Sequence, residues 1–207
     1  MKPFIGLLAM IAVLTGLFQL HQSREGLRII TTTVGNTPVT VIRAPSAAAA
    51  PVVVVAHGFA GSQQLMQPFA ETLARNGYIA VTFDFLGHGR NPAPMRGDIT
   101  EGKTITAALL AELTKVAAAA RELPGSDGRL TVLGHSMASD IVVRFAQASP
   151  AVEATVAVSV FSPVVTATSP RNLLVIVGAL EPAMLGNEGL RIINLTAGGT
   201  AVAGETY

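Results

Sequence analysis

The chain contains no cysteine and no tryptophan, only two tyrosines, and no block of like charge. Without cysteine there are no disulfides, no thiol nucleophile and no thiolate-bound zinc. Fourteen basic and 13 acidic residues leave a formal net charge of +1, scattered along 207 residues. Nucleic-acid binding therefore lacks its electrostatic footprint. Neither a G-x-x-x-x-G-K-[ST] loop nor a G-x-G-x-x-G turn after a strand is present, so no nucleotide cofactor is expected. His57, Asp84 and His88 are dispersed without a recognisable ligand spacing, so no metal is expected either. Half the residues are hydrophobic, enough for one domain with a substantial core.

What is present begins with an apolar leader. Residues 1–20, "MKPFIGLLAMIAVLTGLFQL", are apolar from Phe4 to Phe18 after Lys2. As a helix at about 1.5 Å per residue this run spans ~22 Å, short against a bilayer core of about 30 Å. It reads as an uncleaved membrane anchor, as the core of a signal peptide, or as a buried helix. "LFQLHQS" is a poor cleavage site. Lys2 precedes the run, while Arg24 and Glu25 after it nearly cancel. That bias keeps the N-terminus inside. The expectation is a domain anchored on the outer side of a membrane, or a secreted or periplasmic one. Residues 21–26 are a polar linker, and 27–207 form the domain.

Within the domain, "LRIITTTV" and "PVTVIRA" are rich in β-branched residues around Gly35-Asn36-Thr37, which predicts a hairpin. "PSAAAAP" reads as a loop. Val52 to Ala56 is apolar without alternation, as in a strand buried on both faces. Leu65, Phe69, Ala70 and Leu73 have helical spacing before Gly77. "YIAVTFDF" is a strand and "LGHGRNPAPMRGDI" a long loop. Thr104–Leu123 is a helix, "RLTVLGHS" a strand, and Met137–Ser149 a helix. "EATVAVSVF" and "NLLVIVGA" are strands. Met184–Leu195 holds a helix and a weak strand, "LRIINLT", and "AGGTAVAGETY" is loop-like. Strands alternating with helices give a three-layer α/β/α domain with a mostly parallel sheet.

One pentapeptide carries chemistry. Gly134-His135-Ser136-Met137-Ala138 lies between a strand and a helix, matching the nucleophile elbow G-x-S-x-G with alanine in the last place. Small flanking residues let strand and helix approach, and the sharp turn lifts the hydroxyl clear. The helix N-terminus behind Ser136 offers backbone N–H groups to a developing oxyanion. The plainer reading is a serine that caps the helix of an ordinary αβ unit, since small-x-Ser-x-small is common. A second feature sits at the end of an earlier strand, His57-Gly58-Phe59. There Gly58 lets the backbone turn an N–H toward the nucleophile, so the oxyanion donors are the amides of Phe59 and Met137. His57 and His88 are expected to pin their loops, and His135 to pack beside the sheet, facing away from Ser136.

"AHGFAGS", "VTFDFLGHG", "LGHSMA" and "NLLVIVGALEP", in that order, resemble the α/β-hydrolase superfamily, with the flavour of a lidless serine esterase or dienelactone hydrolase. The resemblance covers about Leu27 to Leu195. It implies that Ser136 is the nucleophile, that Phe59 and Met137 form the oxyanion hole, and that Glu181 is the acid. It also implies a histidine one strand later. None follows His135, so the domain is expected to lack its last strand and helix and to continue past Tyr207. The implied activity is hydrolysis of esters or thioesters through an acyl-enzyme, weak in this chain; the alternative is a non-catalytic binding or scaffold protein. Phe59, Met137 and Leu86 favour a small uncharged or partly apolar acyl substrate.

Overall fold

A computed structural model describes residues 2–46, 48–95 and 102–196. Part of the long Gly- and Pro-rich loop and the loop-like stretch from Ala197 onward fall outside them.

The domain opens with the expected hairpin, β1 (Arg28–Val34) and β2 (Thr37–Arg43). Val34 faces Thr37 across a two-residue turn, and Gly35 takes φ +59° there, a conformation glycine adopts without steric cost. β3 (Ala50–Ala56), β4 (Ile79–Phe83), β5 (Ser126–His135), β6 (Val152–Val158) and β7 (Leu173–Ile176) complete one seven-stranded sheet. Its order is β1-β2-β4-β3-β5-β6-β7. The β1–β2 and β2–β4 pairs are antiparallel and all the others parallel.

Side-chain alternation assigns the layers. On β3, Val52, Val54 and Ala56 meet α3 (Gly102–Arg121) and α4 (Met137–Ala148), together with Ile79, Val81 and Phe83 of β4. Val53 and Val55 face the other way, toward Met66 and Leu73. That face is covered by the 3-10 turn Gln63–Met66 and α2 (Gln67–Arg75). Coverage on both faces is why the Val52–Ala56 run shows no polar alternation.

Two expectations are corrected. "LRIINLT" is no strand: Ala183–Thr196 is a single helix, α5. Gly189 and Ile192 lie three apart and turn inward, where Ile192 packs with Val143, Ala157, Val175 and Val177. That spacing is helical, and tertiary burial overrides the strand preference of the β-branched pair Ile192-Ile193. The N-terminal helix, α1, is also longer than its apolar core. It runs Lys2–Arg24, about 34 Å at the α-helical rise, and absorbs most of the expected linker.

Phe83 is fully buried and stacks edge-on with Phe85, centroids 4.7 Å apart. Phe83→Ala should therefore cost about 3–5 kcal/mol in chemical denaturation, whereas a value below about 1 kcal/mol would place little of the core's energy there.

Candidate active site

The C-terminal ends of the parallel strands form one rim, and Ser136 stands on it after β5. Its backbone takes φ 54° and ψ −118°, a left-handed turn that costs an L-residue of order 1–3 kcal/mol. Packing enforces it. The Ser136 N–H donates to the Val158 carbonyl (2.9 Å), and the Ser136 carbonyl accepts from Ser139 N–H (2.8 Å) as α4 begins. A Cβ on Gly134 would stand 2.2 Å from the Ala138 carbonyl oxygen, so the strand end and the first helical turn are in direct contact. Ser136 is exposed, and its hydroxyl makes no hydrogen bond among the described residues.

The loop after β3 lies against this turn. A Cβ on Gly58 would meet the Ser136 Cβ at 3.0 Å and His135 Nδ1 at 3.1 Å. His135 is thus turned toward Gly58 rather than packed beside the sheet, because the absent side chain of Gly58 leaves that space. The 58–61 segment closes as a turn, with Gly61 N–H donating to the Gly58 carbonyl (3.0 Å). Among the described residues neither the Phe59 nor the Met137 amide donates to another protein group.

His57 is fully buried. Phe85 N–H donates to its Nε2 (3.1 Å), and Nδ1–H donates to the Gly58 carbonyl (2.8 Å). Those partners fix the neutral Nδ1–H tautomer. Burial holds its pKa below the ordinary imidazole range; the bond to Gly58 opposes that, and nearby His88 adds to it. His88 makes a 2.8 Å hydrogen bond through Nδ1 with the Leu86 carbonyl and lies 5.2 Å from the His57 ring. Phe59 stands edge-on to His88 at 5.7 Å, 74% exposed. None of these histidines is bonded to Ser136 or Glu181.

Glu181 follows β7 on the same rim, two strands from Ser136. Its Oε1 accepts from Gly178 N–H (2.8 Å) and from the Ser159 hydroxyl (2.9 Å). Its Oε2 is buried without a partner. An unpaired buried acceptor of this kind costs about 1–3 kcal/mol.

Several residues that position the rim carried no local signal. Asp84 is fully buried and accepts from Gln63 N–H (2.7 Å), Gln63 Nε2 (2.8 Å) and Arg90 N–H (3.0 Å). A Cβ on Gly89 would collide with it at 2.2 Å, so the glycines of "LGHG" were the available hint. Ser139 Oγ accepts from Phe161 N–H (3.2 Å), and Ser162 Oγ donates to Asp140 (2.7 Å). Glu188 accepts from Ser162 N–H, and Arg191 donates to the Ser162 carbonyl. The Arg191 guanidinium, bonded to Glu188, holds that carboxyl below its usual range. Phe161 is thereby held by its amide at the first turn of α4, which Ser136 begins, and is half exposed. A cleft of about 230 Å³ lined by Arg43, Ser46, Tyr78 and Ile79 opens on the opposite rim, where β3 and β4 begin, and takes no part.

Comparison with known proteins finds a matching family and similar folds. The model of the family described as Hydrolase_4, serine aminopeptidase S33, matches residues 47–186, more than half the chain. A provisionally assigned dienelactone hydrolase from Klebsiella pneumoniae superposes with TM-score 0.58 at 20% identity, over 84% of this chain and 82% of its own. A provisionally assigned lipase from Acinetobacter baumannii gives 0.51 at 23%, over 69% and 45%. An epoxide hydrolase from Vigna radiata gives 0.51 at 22%, over 67% and 42%. At these identities the likeness is one of fold, and the chain spans less than half the length of the latter two. No curated protein matches the chain.

Two outcomes are expected. Ser136→Gly removes the Cβ from a positive-φ residue and should be more stable than Ser136→Ala, by roughly 1 kcal/mol in denaturant melts; equal stability would mean the turn is relaxed. Because the native pKa of His57 lies below its unfolded value of about 6.5, its contribution is complete above that pH. It is lost as pH falls through the depressed native value. Stability measured from pH 8 down to pH 5.5 should therefore decline, and His57→Gln should flatten the decline. An unchanged slope would show that His57 protonates as easily folded as unfolded.

Proposed function

Because the chain belongs to the Hydrolase_4 family described as serine aminopeptidase S33, we propose that it is a serine hydrolase acting on a carboxylic ester or thioester. The observation that carries this reading is the Ser136 hydroxyl, exposed and unbonded among the described residues, on a left-handed turn at the start of α4. Its Oγ attacks the substrate carbonyl carbon. The oxyanion that forms accepts from the amides of Phe59 and Met137, which have no competing acceptor among the described residues. Such donors stabilise charge only as it develops. Hydroxide takes the Ser136 proton as water, and the tetrahedral species expels the alkoxide or thiolate, which takes a proton back from water. Water then attacks the acyl-serine by the same route and releases the acid.

Esters fit better than peptides with a free amino end. An aminopeptidase must hold a substrate ammonium near the reacting carbonyl. Two carboxylates of this rim are engaged, Asp140 by Ser162 and Arg144 and Glu188 by Arg191 and Ser162, and the one open oxygen of Glu181 is buried rather than presented to a substrate ammonium. The side chains that flank the serine, Phe59 and Phe161, are apolar.

Serine needs a base to take its proton, and no described histidine is hydrogen-bonded to it. Glu181, with one oxygen held and the other free, is built to orient an imidazole N–H. The 207 residues alone are therefore expected to turn over slowly. The same gap favours a second reading, a non-catalytic protein that keeps the rim for binding.

A fluorophosphonate probe separates the two. We expect mass spectrometry to find the adduct on Ser136, absent in Ser136→Ala. The rate should keep rising with pH above about 7, since hydroxide rather than an imidazole of pKa ~6.5 acts as base. No adduct at any pH would leave only the binding reading.

A further inference from the structure

The join between α1 and the domain is made by two arginines. The last carbonyls of a helix have no partner within it. Arg75, the last residue of α2, donates through Nη2 to three carbonyls at the end of α1: Gln22 (3.4 Å), Ser23 (2.7 Å) and Glu25 (3.1 Å). Its positive charge also meets the negative end of that helix dipole. In the other direction, Arg24 donates through Nη2 to Gln67 Oε1 (2.9 Å) and through Nε to Glu71 Oε1 (3.4 Å). Only Glu25 and Gly26 separate α1 from Leu27, which packs with Ile42, Ala70, Ala74 and Ala80. No flexible linker intervenes.

The rest of α1 is bare. Its large apolar side chains from Phe4 to Leu20 are 49–65% exposed. The Phe4–Arg24 stretch is long and apolar enough to cross a bilayer, and no residue of its apolar 18-residue window is buried. At about 1.5 Å per residue, 23 helical residues reach ~34 Å, beyond a hydrocarbon core of about 30 Å. Cleavage near the end of such a helix would require unwinding a segment held by these bonds, whereas proteases act on exposed, locally unfolded backbone.

The join has a definite place. α2 descends from the active-site rim and ends at Arg75, just before β4 begins at Ile79. β1 begins at Arg28 opposite Arg43, the end of β2. Both mark the rim opposite Ser136, and the seven residues of β3 separate the two rims by about 23 Å.

We propose that α1 is a retained bilayer anchor fixed to the domain by Arg24 and Arg75. It holds the Ser136 rim away from the lipid surface, so that substrate arrives from water. Only the last clause rests on the hydrolase reading.

The absence of cysteine makes the test direct, because one introduced thiol is the only thiol. Leu14→Cys, Glu25→Cys and Leu180→Cys, each carrying a fluorophore, are reconstituted in phosphatidylcholine vesicles containing nitroxide lipids. Position 14 should be quenched by a mid-chain nitroxide, position 25 by a headgroup nitroxide, and position 180, beside Glu181, by neither. A nitroxide pair at 14 and 180 should give one narrow distance distribution that broadens in Arg75→Ala and in Arg24→Ala. Failure of the chain to float with the vesicles, quenching at 180 equal to that at 25, or a broad distribution without either substitution would each overturn the proposal. If Arg75→Ala unfolds, Arg75→Met keeps the apolar stem and loses both charge and donors, and broadening is read there. None of these readouts needs turnover, so they can fail while Ser136 labelling succeeds, and the reverse.

Discussion

Close approach of backbone to backbone at three small residues governs the active-site rim. Gly134 brings the end of β5 against the Ala138 carbonyl, and Gly58 brings the loop after β3 against Ser136 and His135. With a side chain at either glycine, strand and helix would have to separate, and Ser136 could relax out of its left-handed conformation. The exposure of Ser136 and the close contact of its Cβ with Gly58 follow from that crowding. The conformational cost at Ser136 is borne by the surrounding sheet and α4, whose inward side chains are almost wholly buried.

Around that centre the rim is held by buried polar groups rather than by apolar packing. Asp84 ties the 3-10 turn, the "LGHG" loop and the end of β4 together with three accepted hydrogen bonds. Asp140, Glu188 and Arg191 hold the backbone and hydroxyl of Ser162 between α4 and α5. Loops carry irregular backbone that helices and strands cannot satisfy, so their N–H and C=O groups need side-chain partners. The result is a fixed frame with apolar tips, Phe59 and Phe161, standing on it. Among the described residues of this rim, Glu181 alone keeps a buried oxygen without a donor.

The same logic joins helix to domain. The end of α1 is capped by Arg75, and Arg24 is held by Gln67 and Glu71. A helix capped by the domain it leads into transmits its orientation to that domain. The end of α1 and Ser136 lie at opposite ends of the sheet because α2 and β1 both reach the far rim, while Ser136 and Glu181 follow the C-terminal strand ends.

The alternation of strands and helices, the uninterrupted Val52–Ala56 run and the G-x-S-x-small turn were legible in the sequence, because each is a local pattern. Period 2 against 3.6, burial on both faces, and tight turning all leave marks within a few residues. Ser136 and Gly58 could be singled out for that reason. The helical state of "LRIINLT" was not legible, since β-branched residues favour a strand until Val143, Ala157 and Val175 offer a helix a place to bury Ile192. Nor were the roles of Asp84 and Arg75, or the turn of His135 toward Gly58. Asp84 grips Gln63 across 21 residues, and Arg75 reaches Ser23 across 52. The sequence by itself determined the class of fold and the serine on its sharp turn. Which groups brace that serine, and which end of the domain meets α1, were decided only by tertiary structure, because those contacts join segments that local pattern cannot bring together.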